Sequence, residues 1–226
     1  MTSHLPYHDK SSRWSSHSQI VAMLAKLPDR SRVLDVGTAT GMLARMSRRD
    51  SLDFYGVEAN SEWADAASPF YKEIVVRPIE EAGDDFLHGF QAVVLGDILE
   101  HLPAPDSVLR RLTGLQPSGA LFVISVPNIA NFWVRLNLLF GRFDYSDRGI
   151  LDRTHLRFFT RKTLIQMVKD AGLDVVSIRV TPIPLELVSS IFLTSPGRIL
   201  HGFFAWLTFL FPTLLGYQFI VEARKP

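Results

Sequence analysis

Residues 33–43 read VLDVGTATGML, and this stretch decides how the rest of the chain folds. Its first four residues are mostly apolar, which predicts a short parallel strand buried on both faces. Gly37 and Gly41 then bracket a turn whose backbone can pass close to a ligand, and a helix is predicted from Met42 to Arg49. Because a helix start presents unpaired N–H groups, this loop suits a carboxylate or phosphate. The pattern indicates a nucleotide-cofactor loop.

The carboxylate of Asp35 separates two cofactor classes. A dinucleotide fingerprint needs G-x-G-x-x-G after the strand, whereas the spacing here is Asp35-x-Gly37-x-Ala39-x-Gly41. This spacing resembles motif I of the class I S-adenosylmethionine (SAM)-dependent methyltransferases. The resemblance implies that Asp35 helps to position the ammonium group of SAM and that the loop, including Thr38, lies beside its methionine part. Ala39 departs from the family, which usually has glycine there, and its methyl group narrows the approach to the cofactor.

Length and composition limit the remaining function classes. With 226 residues, 47% of them hydrophobic, the chain can bury one core, so we expect a single domain over 1–226. A net charge of +1 without a Lys/Arg-rich run argues against nucleic-acid binding. The absence of cysteine excludes disulfides, thiolate metal sites and thiol nucleophiles. Because residues 1–18 are polar and lack an apolar signal core, we expect a cytoplasmic protein.

Two later segments complete the cofactor site that the resemblance implies. The second predicted strand ends at Glu58, where open parallel sheets bind their ligands. The resemblance assigns Glu58, with the adjoining Ala59, to the ribose hydroxyls of SAM. The segment after the third predicted strand binds adenine in the family. Because Pro78 has no N–H to donate here, adenine contact is assigned to Ile79 and to neighbouring groups that include Glu80.

The stretch GDILEHLP, residues 96–103, follows the fourth predicted strand. It resembles the D-x-L-E-H-L-P segment of coenzyme-Q-type and related small-molecule methyltransferases. The resemblance implies that Gly96, Asp97 and Ile98 border the methionine half of SAM.

The same stretch holds a D-x-x-E-H pattern made by Asp97, Glu100 and His101. A few similar methyltransferases build a divalent metal site on E-x-x-E-H, and positions i and i+3 share one helix face, so an oxygen-plus-imidazole site is one interpretation. Many family members without a metal carry the same E-H pair as a brace for the turn. We therefore expect no metal here.

Residues 127–159 form an insertion that we expect to cover the acceptor pocket, with a helix over Phe132 to Phe140. The segment GRFDYSDRGILDRTHLRFFT resembles a subgroup of methyltransferases linked to cell-envelope sugars and lipids. The insertion contains five arginines and three aspartates. This surplus predicts an anionic acceptor held by guanidinium groups, with internal Arg–Asp pairing as the alternative.

Two histidines are candidates for a catalytic base, because only histidine titrates near neutrality without a large pKa shift. His101 follows the fourth strand, and its predicted role is to brace the turn. His155 lies in the insertion, and Asp152 is expected to orient its imidazole. The alternative is that His155 packs structurally and that catalysis relies on proximity alone.

Residues 181–216 form a second, very apolar insertion, and no Asp, Glu, Lys or Arg occurs from 199 to 221. A helix over 199–215 would be about 25 Å long, against about 30 Å for a hydrocarbon core. A helix this apolar is either buried or faces lipid. We expect it to touch a membrane surface, which would place the protein at the inner face of a membrane, or to form a homodimer interface.

Together the patterns predict a Rossmann-like α/β fold with a doubly wound sheet of six parallel strands and an antiparallel seventh. The predicted function is SAM-dependent methyl transfer to a small-molecule or lipid- or sugar-linked acceptor, with oxygen as the expected target. The alternatives are a catalytically silent SAM-binding scaffold and a dinucleotide-dependent oxidoreductase. Three further expectations concern a leading helix over 15–27, lid aromatics at Tyr7 and Trp14, and a helix cap at Asp106.

Overall fold

A computed structural model describes residues 14–47, 51–185 and 189–226. Seven strands form one sheet in the order β3-β2-β1-β4-β5-β7-β6. Their bounds are β1 Arg32–Val36, β2 Asp53–Glu58, β3 Glu73–Val76, β4 Ala92–Gly96, β5 Leu121–Pro127, β6 Asp174–Thr181 and β7 Gln218–Arg224.

The sheet has the topology that the sequence predicts. Strand β1 pairs in parallel with β2 and β4, and the parallel pairing continues to β3 and β5. Strand β7 runs antiparallel between β5 and β6. Six parallel strands with an antiparallel seventh are therefore confirmed. Because the strand order reverses between β1 and β4, ligands are expected outside the carboxyl ends of these two strands.

Nine α-helices are described outside the gaps at 48–50 and 186–188. They are α1 Ser16–Leu24, α2 Met42–Ser47, α3 Ser61–Ala67, α4 Asp84–Leu87, α5 Pro105–Leu115, α6 Phe132–Leu139, α7 Arg161–Asp170, α8 Ser195–Leu210 and α9 Pro212–Leu215. Short 3₁₀ turns lie at Ser68–Phe70, Ile79–Glu81, Leu99–His101 and Ser190–Leu193.

The helices cover both faces of the sheet. Side chains of α1 and α2, including Ile20 and Leu43, share a core with Val33 and Val94 of the strands. Side chains of α4, α5 and α7 form a second core with the opposite strand faces. Alternate strand residues thus enter different cores, which explains why β4 and β5 read as continuous apolar runs.

The start of α5 differs from expectation. Ala104 precedes α5, and Asp106 lies in its first turn, so the predicted Asp106 cap was wrong. Pro105 starts this helix because its missing N–H needs no intrahelical partner there. Helix α2 is described to Ser47, so the rest of its predicted length, to Arg49, lies outside the described residues. The predicted lid aromatic Tyr7 also lies outside them.

In the described part of the 181–216 insertion, two helices cover the stretch where one was expected over 199–215. Thr194 caps the start of α8. This helix ends at Leu210, and after Phe211 a new helix, α9, starts at Pro212. His201, Ala205 and Thr208 of α8 are buried. Within residues 14–47, 51–185 and 189–226, every helix falls short of the length and apolar character that a membrane span needs.

Candidate functional site

The loop after β1 takes the left-handed conformations that its glycines allow. Gly37 and Gly41 both have φ of +78°. A Cβ at Gly37 would lie 2.9 Å from Ile98 Cδ1, so the loops after β1 and β4 are in direct contact. Ala39 also has a positive φ, of +45°, which gives a backbone reason for glycine at this position of the motif. Neither of the two glycines accepts a side chain without strain.

The amides of this loop donate within the protein. Gly37 N and Thr38 N point to the carbonyl of Val57, at 2.8 and 3.4 Å, and Gly41 N donates to Thr38 O. Ala39 N donates to Glu58 Oε2 at 2.8 Å. A dinucleotide loop needs such amides for pyrophosphate. Their internal use disfavours the dinucleotide interpretation.

Glu58 lies buried at the carboxyl end of β2. Its second oxygen, Oε1, accepts from Asn60 N at 2.9 Å. Each carboxylate oxygen has two lone pairs, so one acceptor site on each remains for a hydroxyl. Ala59, the next residue, is exposed. The two backbone bonds therefore fix Glu58 in place without exhausting its capacity for a ribose.

Asp35 is buried near the end of β1, and its Oδ2 accepts from the hydroxyl of Tyr71 at 2.6 Å. Burial raises the pKa of Asp35 to about 7, with a smaller increase from the Glu58 charge and a decrease from the Tyr71 bond. Burial beside these carboxylates also raises the pKa of Tyr71 well above its ordinary value. A cationic ligand group would stabilise the charged form of Asp35.

Asp97 holds a left-handed backbone, with φ of +56°, at the end of β4. Its Oδ1 accepts from Ser125 Oγ and its Oδ2 accepts from Gln218 Nε2, both at 2.7 Å. Strained backbone of this kind costs about 1 kcal/mol or more and persists where neighbours over-determine it. Side chains from β5 and β7 thus hold Asp97 beside Gly96 and Ile98.

The predicted adenine segment is more buried than expected. Ile79 packs into the core, whereas Glu80 is exposed. The carbonyls of both residues lie 3.3 Å from Arg111 Nη1. The buried Ile79 side chain therefore offers little surface to an adenine ring, and its assignment to adenine stays a prediction.

His101 and His155 come together although 54 positions separate them. Their rings meet edge to face with centroids 4.8 Å apart. The contact forms because residues 154–157 dock on the loop after β4: the amides of Leu156 and Arg157 both donate to Glu100 O, at 2.7 and 3.0 Å. The base candidates thus occupy one site at the carboxyl edge of the sheet.

The protonation of His155 follows from its contacts. Its Nδ1 lies 3.1 Å from the carbonyl of Ile150. A carbonyl can only accept, so Nδ1 carries the proton and Nε2 presents a lone pair. Burial lowers the pKa of His155, with the nearby His101 contributing in the same direction. Asp152, the predicted orienting group, instead accepts from Thr154 N and Oγ1, so Ile150 takes that role.

Glu100, His101 and His155 also bring one potential metal-ligand atom each to within 4.8 Å of one another. Asp97 is held by Ser125 and Gln218. The potential metal-ligand cluster therefore consists of Glu100, His101 and His155. His155 stands in it where the D-x-x-E-H pattern predicted Asp97.

The arginines of the 127–159 insertion have different partners. Arg153 pairs with Asp147 at 2.8 Å, and Arg157 donates to the carbonyl of Pro103. Within the described chain, no ion pair is formed by Arg135, Arg142 or Arg148. Arg–Asp pairing within the insertion therefore accounts for one of its five arginines, Arg153.

A family model for a methyltransferase domain matches residues 8–178, well over half of the chain. The chain belongs to this family of SAM-dependent methyltransferases. The ubiquinone biosynthesis O-methyltransferase of Neisseria meningitidis is 27% identical over 158 residues, covering 64% of this chain and 64% of that relative. The chain thus spans less than two thirds of the relative's length.

Solved methyltransferases share the fold. A SAM-dependent methyltransferase from Archaeoglobus fulgidus aligns with a TM-score of 0.63 at 18% identity and covers 96% of both chains. The magnesium protoporphyrin IX methyltransferase of Synechocystis PCC 6803, with bound SAH, has a TM-score of 0.63 at 14% identity, covering 95% of this chain and 84% of that one. The chain therefore shares its Rossmann-like fold with solved methyltransferases.

The donor set of this methyltransferase fits SAM, the cofactor of its family. Asp35, Glu58 and Asp97 place three carboxylates at the carboxyl ends of β1, β2 and β4. Carboxylates suit a molecule that carries ammonium and sulfonium charges and two ribose hydroxyls, whereas they repel a pyrophosphate. The chemistry of the edge thus agrees with the family.

Three site residues escaped the sequence interpretation: Tyr71, Gln218 and Tyr217. Tyr71 and Gln218 bind Asp35 and Asp97 from positions 36 and 121 residues away. Burial raises the pKa of Tyr217, and the charge of Asp97 adds to that increase, so its phenol stays protonated. The only signal in the sequence was that Tyr217 and Gln218 lie at the start of the last predicted strand.

Proposed function

We propose that this methyltransferase transfers the methyl group of SAM to an oxygen of a small-molecule acceptor. The observation that carries the proposal is the placement of the neutral His155 imidazole beside the loop after β4, at the same sheet edge as the three carboxylates. The Neisseria meningitidis relative is named an O-methyltransferase, which supports oxygen as the target. SAM supplies an electrophilic methyl group on a sulfonium.

In this proposal the protein positions the acceptor oxygen and removes its proton. Methyl transfer is an in-line displacement, so rate comes from holding the acceptor oxygen in line and excluding water. His155 Nε2 accepts the acceptor's proton, because Nδ1 is held by Ile150 and the depressed pKa keeps the ring neutral. His101 braces it edge to face. We infer that Tyr217, whose pKa is raised by burial, stays protonated and can donate a hydrogen bond to the acceptor.

The proposed acceptor is lipid- or sugar-linked and anionic. Arg142 and Arg148 of the 127–159 insertion are exposed and available to bind phosphate or carboxylate. The apolar side chains of the 181–216 insertion support a peripheral contact with a membrane surface, at its cytoplasmic face. A homodimer through the same insertion is the competing arrangement.

The test is incubation with isotopically methyl-labelled SAM and fractionated lipid, glycan and small-molecule extracts. We expect label in one fraction and none with heat-inactivated protein. SAM binding without labelling of any fraction would favour a silent scaffold. Thermal stabilisation by a nicotinamide dinucleotide and not by SAM would overturn the assignment in favour of an oxidoreductase.

A further inference from the structure

Helix α8 presents its large apolar side chains outward. Ile199, Phe203, Trp206 and Leu210 lie on one stripe of the helix and are 76%, 52%, 55% and 53% exposed. The opposite stripe, with His201, Ala205 and Thr208, is buried against the protein. This arrangement inverts the usual amphipathic pattern, in which the large apolar residues face the core. Such an exposed apolar surface indicates a binding partner.

The orientation of α8 excludes insertion along the bilayer normal. The helix has 16 residues, about 24 Å of length, and one stripe is already packed on the protein. Trp14 contacts Phe209 with ring centroids 5.6 Å apart and so ties the helix to the start of α1. A helix attached along its side can only lie flat on a lipid surface.

A cationic cavity lies beside this element. It has a volume of about 490 Å³ and lies between α6, α7 and α9, with Thr213 of α9 in its wall. Four cations line it and no carboxylate does: Arg135, Arg161, Lys162 and Lys169. Within the described residues none of these four forms an ion pair. The cavity therefore suits an anion, and phosphate is the anion that several cations can share.

The cavity and the insertion are held together by two buried asparagines. Asn128 Nδ2 donates to Thr213 O and Gly216 O, and Asn131 Nδ2 donates to Gly216 O. On α6, Phe132 and Leu139 stand one turn on either side of Arg135 and are also exposed. Exposed apolar side chains thus flank the cations on two elements whose relative position is fixed.

We propose that α8, α9 and the cationic cavity form one surface that binds an anionic phospholipid bilayer, with a lipid phosphate in the cavity. The outward stripe of α8 enters the boundary between headgroups and acyl chains. A free phosphate ligand would explain the cations but would leave the flanking aromatic side chains in water. The combination of both features favours a lipid surface. The inference deepens the membrane contact proposed above.

The experiment is vesicle flotation of the full chain with phosphatidylcholine alone and with added phosphatidylglycerol. We expect binding to the anionic vesicles only. K162E/K169E should lower the partition coefficient at least tenfold, because each cation near an anionic surface contributes to binding. The matched control K26E/R110E makes the same change in net charge at exposed positions away from the cavity and should bind within a few-fold of wild type.

A second variant, W206A, tests the apolar stripe. We expect reduced flotation with anionic vesicles, and in the W133F protein we expect brominated lipids to quench fluorescence of the remaining exposed tryptophan, Trp206. SAM affinity, measured alongside, should stay unchanged in every variant and reports folding. Equal binding to both vesicle types would overturn the headgroup role. Phosphate binding without flotation, or a lipid-indifferent dimer that W206A dissociates, would overturn the membrane proposal.

Failure of this inference differs from failure of the proposed function. Flotation needs no acceptor, so vesicle binding without labelling of any extract would leave the surface intact and reject methyl transfer. Labelling of an acceptor by a protein that does not bind vesicles would support methyl transfer and reject the lipid-binding surface.

Discussion

Gln218 Nε2 donates to Asp97 Oδ2 across 2.7 Å and so joins the last strand to the loop after β4. We expect Gln218→Leu to weaken SAM binding about tenfold, because a hydrogen bond to a charged group contributes about 1.5–3 kcal/mol. Calorimetry measures the change. Thr181→Val is the control, since its hydroxyl reaches only the other side of the Gln218 amide, at 3.4 Å. Equal effects of both variants would mean that general packing, and not Asp97, is responsible.

Glu58→Ala should weaken SAM binding by about 1–3 kcal/mol, because it leaves two ribose hydroxyls without an acceptor in a partly dry site. The variant also removes the acceptor of Ala39 N and Asn60 N, so unfolding by urea should be measured in parallel. Glu62→Ala, on the exposed first turn of α3, is the control. Unchanged SAM affinity would remove Glu58 from the site.

His155→Ala should lower the rate of methyl transfer about a hundredfold or more while SAM affinity stays the same. The wild-type rate should rise with pH through an apparent pKa below the ordinary histidine value, because burial favours the neutral ring. The variant should lose that acidic limb. His88→Ala, at an exposed position, is the control. A rate within a few-fold of wild type, or equal losses of stability and activity, would refute the assignment.

Activity should survive a strong chelator, in keeping with the expectation of no metal. The cluster of Glu100, His101 and His155 makes this a direct test, since its ligand atoms all lie within 4.8 Å. The measurement is turnover before and after EDTA treatment, with readdition of Mg²⁺, Mn²⁺ or Zn²⁺. Loss of activity that a divalent ion restores, together with loss of that response in Glu100→Gln, would show that the cluster binds a metal.

Asp35 should make the unliganded protein less stable as pH rises from about 4 to about 7. Its pKa is raised to about 7 in the folded protein, against 3.8 as an ordinary value, so the folded state binds more protons over this range. Asp35→Asn should flatten this dependence and stabilise the protein at pH 8 by roughly 1–4 kcal/mol, while SAM affinity falls. Urea unfolding at pH 5 and pH 8 measures both slopes. An unchanged pH dependence in the variant would contradict the shift.

The sheet was predictable because its signals are local. Apolar runs ending at Val36, Glu58 and Gly96 give the strands to within a residue. The helix at 199–215 was predicted as one piece because the sequence stays apolar through Phe211 and Pro212. The structure breaks it there, since Pro212 has no N–H to continue the helix.

The candidate site was only half predictable. Motif spacing places Gly37 and Ile98 at one edge, and the structure brings them into contact. The bonds of Tyr71 to Asp35 and of Gln218 to Asp97 join residues far apart in the chain, and such pairs leave no periodic or spacing signal in one sequence. The pairing of His155 with His101 depends on how an irregular loop docks, which side-chain patterns do not encode.

The 181–216 insertion leaves and re-enters the sheet at a single rung, where Thr181 pairs with Gln218. Strand registers on both sides of that rung are set by β5, β6 and β7 and do not depend on what joins them. The strand pairing itself therefore does not require the segment, whose ties to the rest of the fold are the bonds from Asn128 and Asn131 and the buried stripe of α8. A change of length or sequence between β6 and β7 would therefore leave the carboxylates at the ends of β1, β2 and β4 in place.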